Sequence, residues 1–143
     1  MAQPPLSQTD LIVSKLKNNE ITADELMNVK LPSLSQCLNE FIGKRDISVQ
    51  ALADLSGINR ATIFKILSGK LEPSFNTLIR LAFVLELDFE QAQFLLKCGN
   101  CHALSASRNR DLIIIEGLVH RMPLGEVEDK LLDHGLRGLL GKS

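Results

Sequence analysis

Residues 48–74 constrain this chain more than any other stretch, because helical runs are fenced off there by residues that start or stop helices. Ser48 is a good N-cap, and the run it opens turns Leu52 and Ala53 inward. Gly57 follows where the chain must bend sharply with positive φ, which glycine adopts without a Cβ penalty. Asn59 caps the next run, which puts Ile63 and Ile66, with Leu67 beside them, on one face and Arg60, Thr62 and Lys65 on the other. Gly69 stops that run and Pro73 forbids its continuation. Ser74 then caps a helix whose inner stripe is Leu78, Leu81, Ala82 and Leu85.

The same punctuation extends in both directions. Leu34, Cys37, Leu38, Phe41 and Ile42 fall at i, i+3, i+4, i+7 and i+8, the stripe of a helix with one buried face, and Gly43 with the charged residues after it marks the end. Asp88 and Gln91 have capping-box spacing and open a helix that buries Phe89, Ala92, Leu95 and Leu96. After a break over residues 98–107, residues 111–120 and a run following Pro123, with Leu124, Val127, Leu131 and Leu132 inward, predict a helical hairpin. Leu136, Leu139 and Leu140 make its end apolar. At the other end of the chain, residues 9–18 predict a short helix, and the Thr22–Glu25 capping box opens a second before Pro32.

Leu, Ile and Ala recur at helical spacing, aromatics are only 4% of the chain, and β-branched alternation is nearly absent. The expected fold is therefore all-α. A chain of 143 residues with 45% hydrophobic residues supports one compact domain with an appended arm. The expected division is an N-terminal helical arm over residues 1–32, a five-helix domain over 33–99, and a helical hairpin over 100–143 packed on it.

The first ten residues lack the basic and apolar regions of a secretory signal, and no apolar run nears the roughly 20 residues of a membrane span. The expectation is a cytoplasmic protein without membrane contact. Three cysteines, Cys37, Cys98 and Cys101, then read as reduced thiols rather than as a disulfide framework.

Net charge is −1, which taken alone argues against a polyanionic partner. Its distribution reverses the argument, since residues 1–43 carry −2, residues 44–80 carry +3 and residues 81–143 carry −2. Phosphate binding depends on a local basic face, and an excess of three predicts modest non-specific affinity.

In a helix-turn-helix the first helix places a small residue where the second crosses it, a glycine makes the turn, and an apolar residue locks the angle. Ala53, Gly57 and Ile63 meet these requirements. With the Thr62–Ile63 pair, the Ser68-Gly69-Lys70 end, Pro73 and the Leu-rich helix that follows, residues 34–98 resemble the Cro/phage-repressor type of helix-turn-helix, the XRE family. Residues 103–114 and 126–135 are also similar to a longer bacterial subgroup that extends the five-helix, lambda-repressor-like domain by a hairpin.

The resemblance implies that residues 59–68 enter the major groove of double-stranded DNA, with the leading turn at the base edges. Arg60 stands where the family commonly reads bases, and its fork matches a guanine O6/N7 edge. Asn59 and Ala61 share that turn; Thr62 offers a hydroxyl or a methyl, Lys65 reaches a base or a phosphate, and Phe64 reads equally as core or as a thymine-methyl contact. Gln50, Lys70 and Asn76 match regions that touch phosphates and so position the protein. The function implied is a sequence-specific transcriptional regulator, a repressor, working as a homodimer without cofactor, metal or catalysis, because one small module lacks the contact area for tight specific binding.

Competing readings attach to particular residues. The polar side chains of residues 59–68 also read as an ordinary solvated face, and the apolar run 111–120 reads as core or as an interface. The second function class is a protein-interaction or antitoxin-like module, with the helix-turn-helix kept as a scaffold and the C-terminal hairpin as its contact. Cys98, Cys101 and His102 form the CxxCH pattern of a covalent haem, but that attachment needs export. As zinc ligands they lack a second pair at suitable spacing. Carboxylates are scattered at helical spacing and form no catalytic constellation.

Overall fold

A computed structural model describes residues 8–20, 22–23 and 31–140. Residues 1–31 and 32–143 form two separate units. In the first, α1 (Gln8–Lys17) carries Asp10 in its first turn and Lys15 and Lys17 in its last, the arrangement that complements the helix dipole. The second expected helix of the arm, with the Thr22–Glu25 capping box, lies outside the described residues.

The second unit contains α2 (Leu34–Arg45), α3 (Val49–Ser56), α4 (Arg60–Leu67), α5 (Phe75–Val84), α6 (Phe89–Cys98), α7 (Asn109–Val119) and α8 (Leu124–Asp133). The described residues contain helices and no strand, as the apolar periodicity predicts. Side-chain caps set most of the starts. Ser48 accepts from the Ala51 amide, Asn59 from Ala61 and Ser74 from Thr77, while Asp88 and Gln91 close a reciprocal capping box. Ser33 and Gln36 form a further box, unnoticed in the sequence, at the start of α2.

One helix boundary and one helix face differ notably from the sequence reading. Helix α2 continues through Gly43 to Arg45 and ends where Asp46 turns left-handed at φ 53. One glycine weakens a helix by only about 1 kcal/mol, less than the packing of Phe41, Ile42 and the following Ile47 on the core returns. On α8, Leu132 is exposed, because Val127, Glu128 and Leu131 take the inward face. Leu140 is likewise exposed, whereas Leu139 is fully buried.

One hydrophobic cluster runs from Cys37 and Leu38 through Leu52, Ile63, Leu78 and Leu95 to Ile114, Leu118, Val127, Leu131 and Leu139, so α7 and α8 share a core with α2 to α6. Gly117 permits this approach, since a Cβ there would lie 2.6 Å from Val127 Cγ2 and 3.1 Å from the Phe83 ring. The run 111–120 divides its apolar residues: Ile114 and Leu118 are buried, while Leu112 and Val119 face outward. Among the described residues, no helix is long and apolar enough to cross a membrane.

Candidate nucleic-acid interface

The site begins with the joint between α3 and α4. Gly57 caps α3 at φ 70, donating its N–H to the Ala53 carbonyl. The buried Ser56 hydroxyl accepts from the Ile58 amide at 3.2 Å, fixing the exit from the turn. Arg80 of α5 braces the joint from behind, its Nε and Nη2 donating to the Ser56 carbonyl at 3.0 and 2.8 Å. A guanidinium therefore satisfies a carbonyl left open at a helix end, a charge-assisted bond stronger than a neutral one. Burial lowers the Arg80 pKa, partly opposed by the carboxylate of Glu128.

Ile63 and Ile66 anchor α4 in the core, and the Ser35 hydroxyl donates to the Leu67 carbonyl at its far end. That anchoring leaves Asn59, Arg60, Ala61, Phe64 and Lys65 exposed and Thr62 half-buried. Arg60 Nη1 donates to Gln50 Oε1 at 3.3 Å, and Gln50 Nε2 in turn donates to Asp54 at 2.9 Å. The Arg60 guanidinium also lies over the Phe64 ring, 5.5 Å from its centre, so Phe64 is surface rather than core. Lys70 sits exposed beyond α4, its amide bonded to the Lys65 carbonyl at 2.9 Å.

The structure thus brings Gln50 and Arg60 together and leaves the Lys65 and Lys70 ammonium groups exposed along the same stretch. Asn76 is placed differently: half-buried in the first turn of α5, its Oδ1 accepts from Arg110 Nη2 at 2.8 Å. Sequence reasoning missed Arg80 and Arg110. The only signal for Arg80 was a charge beside the apolar stripe Leu78, Leu81 and Ala82; Arg110 gave none, because its partners are distant in the chain.

The CxxCH residues turn to different neighbours. Cys98 lies beside buried Cys37, and desolvation, with Cys98 adding to it, pushes the Cys37 thiol up to about 12. Cys101 Sγ faces the Pro73 carbonyl at 3.9 Å. His102 stacks on Phe75 with ring centres 4.3 Å apart. Among the described residues, no group of three or more His, Cys, Asp or Glu is arranged to hold a metal ion.

What the arrangement offers is one short helix with its leading turn exposed, a guanidinium held there by a neighbour, and two flanking ammonium groups. Such a helix fits a major groove about 12 Å wide. The family model of the Cro/C1-type HTH DNA-binding domain matches residues 37–92, from the buried face of α2 into α6. No curated protein and no solved structure gives a significant match to the chain.

Proposed function

From the Cro/C1-type helix-turn-helix domain that the chain carries over residues 37–92, we propose that this protein is a sequence-specific transcriptional regulator, acting as a repressor in the cytoplasm. The observation that carries the reading is the support of Arg60: Gln50 and Phe64 hold the guanidinium on the exposed leading turn of α4, and reading a base edge needs a fork already fixed. Asn59, Ala61, Thr62 and Lys65 complete the base-facing side, while Gln50, Lys70 and Asn76 contact phosphates. DNA is the partner, and the protein works by occupancy, without catalysis, cofactor or metal.

A homodimer supplies the contact area that one module lacks, and places the two α4 helices about 34 to 36 Å apart on a pseudo-palindromic site. Leu112, Ile115 and Val119 favour self-association on α7, since they line one open groove between α7 and α8. The same groove favours the second reading, a protein-interaction or antitoxin-like module.

Titration against the protein's own upstream DNA and against random duplex, at two salt concentrations, separates the readings. A regulator binds the upstream fragment more tightly and loses affinity steeply as salt rises. Absence of affinity for either duplex would leave the protein-interaction reading.

A further inference from the structure

Arg110 belongs to α7, outside the matched residues, yet its guanidinium reaches α5. Nη2 donates to Asn76 Oδ1 at 2.8 Å and to the Gly138 carbonyl at 3.2 Å, and Nε donates to the Arg137 carbonyl at 2.8 Å. The group is half-buried between α5 and the segment after α8. In the same segment, Glu128 accepts from the amides of Leu139 and Leu140 at 2.5 and 3.0 Å, and Leu139 is fully buried. Residues 137–140 are thereby seated by an arginine and a carboxylate together.

A carboxamide has an accepting oxygen and a donating nitrogen. With Oδ1 committed to Arg110, the Asn76 Nδ2 group is directed away from it, and among the described residues Nδ2 makes no hydrogen bond. A phosphate oxygen only accepts, so the flipped amide would meet it oxygen to oxygen. Arginine enforces the orientation because a guanidinium donates and never accepts.

Resting on the DNA-binding reading above, we infer that Arg110 is a positioning residue for the DNA backbone, which holds Asn76 with its donor end toward phosphate and ties that contact to the seating of residues 137–138. The C-terminal hairpin then does more than fill the core. It sets a hydrogen-bond polarity on the DNA-binding face, and displacement of the segment after α8 weakens DNA binding without touching α4.

The test is duplex binding by fluorescence anisotropy with the full chain, using Arg110→Met, Asn76→Ala, their double variant and Asn76→Asp, with melting curves on each. Arg110→Met and Asn76→Ala should each weaken target and random duplex alike, by about 3- to 10-fold, the worth of one hydrogen bond. The double variant should lose no more than either single, since one residue acts through the other. Asn76→Asp keeps the acceptor that Arg110 needs and so keeps its melting temperature, yet it should lose more affinity than Asn76→Ala. Wild-type affinity in a folded Arg110→Met or in Asn76→Asp, or additive losses in the double variant, overturns the inference while leaving the regulator intact. If the unaltered protein binds no duplex, both readings fall together.

Discussion

Arg60, the first residue of α4, donates to Gln50 in the first turn of α3 across 3.3 Å, so the two helices of the joint are linked at their exposed ends. The link holds a long side chain that would otherwise lose rotamer freedom on meeting DNA. Arg60→Ala is therefore expected to flatten the preference for target over random duplex by about 1 to 3 kcal/mol. Gln50→Ala leaves the fork present and supported by the Phe64 ring alone, with a smaller loss in the same direction. Competition binding with single-base operator variants checks both; equal losses for Arg60→Ala on target and random DNA contradict the reading role.

Lys70 follows α4 with an exposed ammonium group. Lys70→Ala should weaken every duplex by a similar factor and reduce the slope of log affinity against log salt by about one. A changed target preference with an unchanged slope would move Lys70 from the backbone to a base.

The readable part of this chain was what acts over three or four residues. Ser48, Asn59, Ser74 and Asp88 each bond an amide within the following turn, and Gly57 supplies a positive φ, so the joint and its helices could be placed from the sequence. Arg80 to Ser56 and Arg110 to Asn76 span 24 and 34 residues, and no local pattern encodes such pairings. Leu132 misled for a related reason. The inward face of α8 is taken by Val127, Glu128 and Leu131, and the partners of Glu128 lie in the segment after the helix.

Gly57 and Gly69 both adopt positive φ, 70 and 80, but only Gly57 faces a neighbour there, with a Cβ lying 3.0 Å from Arg80 Nη2. Gly69→Ala should cost the left-handed penalty alone, about 1 to 2 kcal/mol. Gly57→Ala should cost more, because Arg80 must shift from the Ser56 carbonyl. Urea unfolding of both, and of Gly57→Ala in an Arg80→Met background, isolates the difference. Equal costs for the two glycines would remove Arg80 as the brace.

Cys37 has a folded pKa of about 12 against an ordinary thiol value of 9.0. An acid whose pKa is raised by folding holds its proton more tightly in the folded state, so its contribution is complete below pH 9 and declines as pH rises from there toward 12. Unfolding free energy should therefore fall between pH 9 and pH 11, by at most about 1.4 kcal/mol per pH unit from one thiol. Cys37→Ala should be less stable at pH 8 but lose less over that interval. Parallel pH profiles for the two proteins would rule out Cys37 as the source.

Gly138 lies against the Glu128 carboxylate so closely that an added Cβ would overlap Oε1 and crowd Cδ at 2.6 Å. Its φ is not positive, so space alone is at issue. Gly138→Ala should push the carboxylate off the Leu139 and Leu140 amides and destabilise the chain by about 1 to 3 kcal/mol. Glu128→Ala removes the obstacle and the bonds together, so adding Gly138→Ala to it should cost almost nothing more. A double-mutant cycle by urea unfolding reads this coupling. Additive losses would mean that Gly138 is required for backbone freedom, and that the carboxylate is not what seats Leu139 and Leu140.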